Sequence, residues 1–125
     1  MQRALLPNGR ERRRSWRYPC ECPVTITRLL SQRQMTGHML DLSATGCLLR
    51  SDEASILQSN DLVEVSFSVH DFSIRVLASV RDMRSYNSLG MEFVDRNEET
   101  LLQIGGLMRK LAEEWARQND PQLAG

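Results

Sequence analysis

The chain has 125 residues, 41% of them hydrophobic and 26% charged, and its sixteen basic and sixteen acidic side chains cancel to a net charge of zero. That is one domain's worth of chain with enough apolar residues for a single core, and no run approaches the roughly 18–20 apolar residues that cross a bilayer. Three cysteines are an odd number and imply no closed disulfide framework.

The opening MQRALLPNGR has an apolar run of only three residues, Ala4 to Leu6, too short for the core of a signal peptide. A cytoplasmic protein with reduced thiols and no membrane insertion is therefore expected. The zero net charge conceals an uneven distribution. Residues 1–17 carry six arginines (Arg3, Arg10, Arg12, Arg13, Arg14, Arg17) against Glu11 alone, a balance of +5. The remainder has ten basic and fifteen acidic residues, a balance of −5, and Lys110 is the single lysine among the sixteen basic side chains. A short basic arm on a mildly acidic body suits an anionic ligand or an acidic face. Arginine adds a flat fork of donors that lysine lacks.

Pro19 and Pro23 bracket Cys20-Glu21-Cys22 and argue against helix there. Strand patterns then dominate up to Asp95. Val24 to Thr27 is β-branched and reads as a strand. Ser31 to Gln34 is a polar turn, and Thr36 to Leu42 reads as a second strand. Ala44-Thr45-Gly46 breaks it before a short third strand at Cys47 to Leu49. Ser51 to Glu53 is turn-like, and Asn60-Asp61 is a further turn signal. Val63, Val65, Phe67 and Val69 alternate with polar residues, the pattern of a half-buried strand. His70-Asp71 is a tight connection to Phe72, Ile74, Val76, Ala78 and Val80, which alternate with outward Ser73, Arg75 and Ser79. Ser85 to Ser88 is a turn, and Leu89 to Val94 is the last strand. Six short strands in about seventy residues suggest a small antiparallel barrel or sandwich.

The remainder reads as helix. Asn97 is placed to cap it, and Glu98 and Glu99 occupy the first turn, where the helix dipole favours acids. Leu101, Ile104, Met108, Leu111 and Trp115 repeat at helical spacing and form one apolar face. Gly105-Gly106 in mid-helix costs about 1 kcal/mol per glycine relative to alanine. Close approach to an open barrel end, or to a second helix, would offset that cost.

Two segments carry the chemistry. Glu11-Arg12-Arg13-Arg14-Ser15-Trp16-Arg17 contains RxxxR at Arg13 and Arg17. Asp41-Leu42-Ser43-Ala44-Thr45-Gly46 is a DxSxxG pattern between the second and third strands. Arginine forks bind phosphate and the Hoogsteen edge of guanine bidentately. A carboxylate at Asp41 can accept from the adjacent donors on guanine's Watson–Crick edge, which adenine lacks. Ser43, two residues on, would share a face with Asp41 on an extended strand. Gly46 can take positive φ or admit a ligand close to the backbone. A ligand with both phosphate and guanine would use all of these groups.

ERRRSWR followed by DLSATG, alternating strands, LGMEF and a terminal helix resembles a PilZ domain, from about Glu11 to Trp115. The resemblance implies a six-stranded antiparallel β-barrel with one C-terminal helix over residues 19–118, a flexible basic arm over 1–18 and a disordered tail over 119–125. It also implies a bacterial receptor for cyclic di-GMP, with Arg12, Arg13, Arg14, Arg17, Asp41, Ser43 and Gly46 as ligand-binding residues. The ligand would order the arm and so signal to a downstream protein partner. Arg12, just before RxxxR, implies an intercalated ligand pair, two molecules per chain. Val80 or Arg81 would supply the family's usual base-stacking residue. The alternative is an interaction module of the same fold that binds no nucleotide.

Other readings are weaker. Cys20, Cys22 and Cys47, with His38 or His70, make only a nominal zinc set, and structural thiols with no bound metal or cofactor are expected. Neither histidine has a serine or cysteine partner at motif spacing, and no convergent catalytic set or nucleophile elbow exists, so the chain does not read as an enzyme. The acidic body opposes a broad phosphate footprint, which argues against nucleic acid as partner. Trp16 is expected to anchor the arm on the barrel. Met35, Met39, Met83, Met91 and Met108 are expected as core filler.

Overall fold

The computed structural model describes residues 16–85 and 87–119. Arg12, Arg13, Arg14 and the rest of the arm before Trp16, together with Tyr86 and the tail beyond Asn119, lie outside the described residues. Six antiparallel strands follow in chain order: β1 (Tyr18–Arg28), β2 (Arg33–Leu42), β3 (Gly46–Arg50), β4 (Leu62–Val69), β5 (Phe72–Ser85) and β6 (Ser88–Phe93). A short 3-10 turn, Ala54–Ile56, lies between β3 and β4, and helix α1 (Glu98–Asn119) ends the fold. The sheet closes on itself in the order β1-β2-β3-β6-β5-β4, with β4 pairing back onto β1. Closure removes the exposed edges that an open sheet of this size would present.

The alternating pattern builds the interior. Ile26, Met39, Leu49, Val65, Val76 and Leu89, one from each strand, are fully buried. The connection between β4 and β5 is the tight two-residue turn at His70-Asp71, with His70 in the left-handed region at φ 53°.

Several elements run longer than their sequence patterns. β1 begins at Tyr18, six residues before the β-branched run, and includes both prolines. Only Val24 to Arg28 pair with β4, so Tyr18 to Pro23 form an edge on that side, where a proline's missing N–H costs no ladder bond. A bulge between Pro19 and Cys22 interrupts the pairing with β2. β5 continues past Val80 to Ser85 because bulges at Val80/Asp82 and Met83/Ser85 shift the side-chain phase. The same shift leaves Met83 exposed rather than in the core. Trp16 is also exposed and does not anchor the arm. Ser79 is buried, not outward, because it sits mid-sheet between Leu62 and Glu92 and is short enough to be covered by longer neighbours.

The helix starts as its sequence predicts: the Thr100 N–H donates to Asn97 Oδ1 at 3.1 Å. Asp95 ties this cap to the barrel, accepting from Leu77 N and Asn97 N, both at 2.9 Å. The buried side chains are Ile104, Leu107 and Leu111. Met108 packs half-buried beside them and the Trp115 ring meets Tyr18 of β1 edge-on, centroids 6.4 Å apart, though Leu101 and half of Trp115 remain exposed. Gly106 accounts for the tilt of the packing, since a Cβ there would lie 3.0 Å from the Phe72 ring. Its partner Gly105 faces open space.

Candidate functional site

Antiparallel pairing of β1 with β2 sets Tyr18 opposite Leu42 and Pro19 opposite Asp41. The residue just before β1 is therefore carried to the end of β2, where DxSxxG begins. There the Arg17 Nη1 donates to Asp41 Oδ1 at 2.9 Å. The two side chains are 29% and 26% exposed, so the pair is reachable from solvent yet fixed by the strands. Residues 24 positions apart, one from each motif, thus meet at a single corner of the barrel.

The β2–β3 turn shapes that corner. Ser43 is buried, and its hydroxyl accepts from the N–H groups of Thr45 (3.2 Å) and Gly46 (3.1 Å) while lying 3.2 Å from the Gly46 carbonyl. The Ser43 N–H donates to that carbonyl at 2.8 Å. Strand β2 ends at Leu42, so the alternation that would put Ser43 beside Asp41 on one face stops before reaching it. Ser43 pins the turn from within. Gly46 needs its missing side chain for an equally internal reason. A Cβ there would sit 2.2 Å from the Met91 carbonyl oxygen, and the close approach is that of neighbouring β6.

Next to the pair lies a groove of about 220 Å³ lined by Arg17, Thr45, Gly46, Arg81, Asp82, Gly90, Met91 and Glu92. Arg81 crosses its rim, 2.7 Å from Glu92 Oε1 and donating to Asn60 Oδ1 at 3.1 Å. Of the two residues considered for base stacking, Arg81 is at the groove. Val80 is fully buried in the barrel and faces no ligand. Thr45 lies within DLSATG and Gly90 and Glu92 within LGMEF, and the β3–β6 pairing, Gly46 opposite Glu92, brings the two segments together.

All three cysteines are free and buried. Burial pushes the Cys47 thiol up, and the Asp41 charge adds to this while Arg17 opposes it. A hydrogen bond with Cys22 and then burial push Cys20 up; the same bond lowers Cys22 against the effect of burial. Among the described residues no group of three or more His, Cys, Asp or Glu side chains is placed to hold a metal ion, and no helix is long and apolar enough to cross a membrane. His70 contacts Glu114 at 3.1 Å and links the β4–β5 turn to α1.

A closed six-stranded antiparallel barrel with one C-terminal helix is the architecture of a known class of domain. The chain belongs to the PilZ domain family, whose model matches residues 11–110. Its fold is that of the PilZ domain of CeSA from a cellulose-synthesizing bacterium (17% identity, 78% of this chain and 99% of that one, TM-score 0.67). It is equally that of the PilZ domain of Escherichia coli YcgR, solved with c-di-GMP (16% identity, 87% and 98%, TM-score 0.69). It also matches K. pneumonia MrkH in complex with c-di-GMP (17% identity, TM-score 0.70), covering 86% of this chain but 54% of MrkH. No curated protein matches the chain in sequence.

Proposed function

We propose that this chain is a bacterial, cytoplasmic receptor for cyclic di-GMP, a binding protein rather than an enzyme, and that its ligand sits at the Arg17–Asp41 corner. The observation that carries this reading is the ion pair itself, which unites one residue of each motif at the mouth of a groove. Family membership and the two c-di-GMP complexes among proteins of the same fold support the choice of ligand.

The chemistry follows from the donor and acceptor sets. Asp41 Oδ1 and Oδ2 accept from the N1–H and N2–H₂ groups of one guanine. Arg17, released from Asp41, turns its fork to a phosphate or to the Hoogsteen edge of a base. Ser43 and Gly46 act through the turn they fix. The groove is smaller than the roughly 300–1,000 Å³ typical of a whole ligand site, so part of the dinucleotide is left for other groups to cover. Arg12, Arg13 and Arg14 supply that cover: with Arg17 they place four like charges in six residues, which repel until an anion neutralises them, and the arm then folds over the ligand. Arg12 favours a second, intercalated ligand molecule. The closed arm presents a new surface to a downstream protein.

Isothermal titration of the full chain with cyclic di-GMP tests this. Saturable heat is expected, with a stoichiometry near two. Arg13→Ala, Arg17→Ala and Asp41→Ala are each expected to weaken binding by about 1.5–3 kcal/mol, the range for hydrogen bonds to charged groups. Cyclic di-AMP, lacking the paired donors, is expected to bind far more weakly. No heat with cyclic di-GMP would favour the nucleotide-free interaction module instead.

A further inference from the structure

One flank of α1 carries an apolar seam that the barrel covers only in part. Leu101, Gly105, Met108, Ala112 and Trp115 follow one another at spacings of four, three, four and three, the repeat by which one helix packs along another. Leu101 is 43% exposed and Trp115 50% exposed, and Leu102 on the solvent-side border is 74% exposed. Gly105 and Ala112 leave the middle of the seam low, with nothing within 4 Å of a Cβ at Gly105. The seam borders the buried set Ile104, Leu107 and Leu111: Met108 packs half-buried against the core and the Trp115 ring meets Tyr18 of β1 edge-on, centroids 6.4 Å apart, while Leu101, Leu102 and the outer half of Trp115 stay in solvent.

We propose that this seam is a homodimer interface, in which α1 packs antiparallel against α1 of a second copy about a two-fold axis near Met108. Self-complementarity selects this occupant. Centred on Met108, the seam sets Leu101 against Trp115 of the partner subunit and Gly105 against Ala112 of the partner subunit. Large then meets large at the ends, and small meets small where the backbones must approach. Exposed tryptophan and leucine flanking a close-packed centre are the composition of an interface core. The charges agree in direction. The acidic first turn, Glu98 and Glu99, comes to lie beside the basic last turn at Arg117 of the partner subunit, and the two helix dipoles oppose each other. A parallel pair would stack the acidic turns on one another. Arg109 and Glu113, four residues apart on the border, offset each other's charge. The contact runs along about 20 Å of helix. A membrane surface is a poorer match, since the helix mixes Glu98, Glu99, Glu113 and Glu114 with its few cations rather than presenting a basic polar face.

Sedimentation velocity on the full chain, without added nucleotide, tests the proposal independently of the ligand-binding reading. A dimer that forms with rising concentration is expected. Leu101→Glu, at an exposed position, is expected to raise the dissociation constant at least tenfold with the thermal midpoint of the monomer unchanged. Gly105→Leu separates the seam from the fold: it fills open space in the monomer and raises its thermal midpoint, yet obstructs Ala112 of the partner subunit and weakens the dimer. Orientation is read by cross-linking with copper phenanthroline. Met108→Cys is expected to give a covalent dimer, Leu101→Cys alone none, and Leu101→Cys combined with Trp115→Cys a dimer again. A monomer at every concentration into the millimolar range overturns the proposal. So do a dimer indifferent to both seam substitutions, a self-cross-link at Leu101→Cys, or seam-dependent binding to anionic phosphatidylserine vesicles with no dimer.

Discussion

Gly46→Ala isolates what the motif glycine does. The added Cβ would lie 2.2 Å from the Met91 carbonyl oxygen and 3.3 Å from its carbon, both backbone atoms of β6. Carbon and oxygen ordinarily stay at least about 3.2 Å apart, so β3 and β6 must part locally by about 1 Å, a large change against a strand spacing of about 4.8 Å. The hydrogen bond that ties this end of β6 to the turn, Phe93 N to Thr45 O at 2.8 Å, would then stretch past useful range. At roughly 1 kcal/mol net for that bond plus about 1–2 kcal/mol of overpacking strain, the loss is about 2–3 kcal/mol. For a domain of this size that lowers the thermal midpoint by roughly 10 °C. Circular dichroism melting and urea unfolding without ligand read this directly. Gly105→Ala is the control of opposite sign. It meets no atom within 4 Å and is expected to gain up to about 1 kcal/mol from helix propensity. A Gly46→Ala melt within a degree or two of the parent would refute the reasoning and return the glycine's role to direct ligand approach.

Ser43→Ala removes the acceptor for two turn N–H groups and is expected to cost about 1–2 kcal/mol in urea unfolding. Arg28 clasps Asp61 at 2.9 and 3.4 Å and, by this hydrogen bonding first, holds its carboxyl below the usual carboxylate range. The folded value is the lower one, so this pair stabilises the fold above the ordinary carboxylate pKa of about 4 and is lost as pH falls through the folded value. Melts of the parent and Asp61→Asn should therefore differ at neutral pH and converge in acid; a constant gap would contradict the assignment. Cys20 and Cys47, buried with their thiols pushed up, are expected to resist alkylation by iodoacetamide until the chain is unfolded in urea.

Every strand was legible in the sequence, β4 and β5 from alternation, because a half-buried sheet face writes its period into the chain, and the others from β-branched or apolar runs between turn signals. These patterns misplaced strand ends where something other than burial decides. Pro19 and Pro23 look like terminators, yet each sits on the side of β1 that β4 does not reach. Arg81-Asp82 looks like the end of β5, yet a bulge carries the strand on with its phase shifted. For the helix, the repeat from Leu101 to Trp115 reads as one apolar face, and the barrel takes Ile104, Met108, Leu111 and the edge of Trp115 from it, adds Leu107, and leaves Leu101 exposed. Asp41 and Arg17 were legible as site residues from residue type and spacing. Thr45, Gly90 and Glu92 lie in the segments DLSATG and LGMEF, but their place beside the corner was not legible, since it depends on the β3–β6 pairing.

The Arg17–Asp41 contact also bears on how a ligand could enter the corner. A partly exposed ion pair is worth about 1 kcal/mol or less, because water solvates both charges nearly as well apart. Breaking it therefore subtracts little from binding. Holding it keeps both side chains oriented at the groove mouth, so a ligand meets an acceptor and a donor fork already in place. The exchange is selective by charge pattern. A ligand that offers Asp41 a pair of adjacent donors and Arg17 an anion gains both interactions for one broken pair, whereas a ligand that satisfies one partner alone gains a single interaction for the same cost. A guanine carrying its own phosphate meets both demands within one molecule, whereas free phosphate or a free base meets one. On this reasoning Arg17→Ala and Asp41→Ala are coupled: the double variant should lose less affinity for cyclic di-GMP than the two single losses added, and strict additivity in that cycle would show that the pair does not act as a unit.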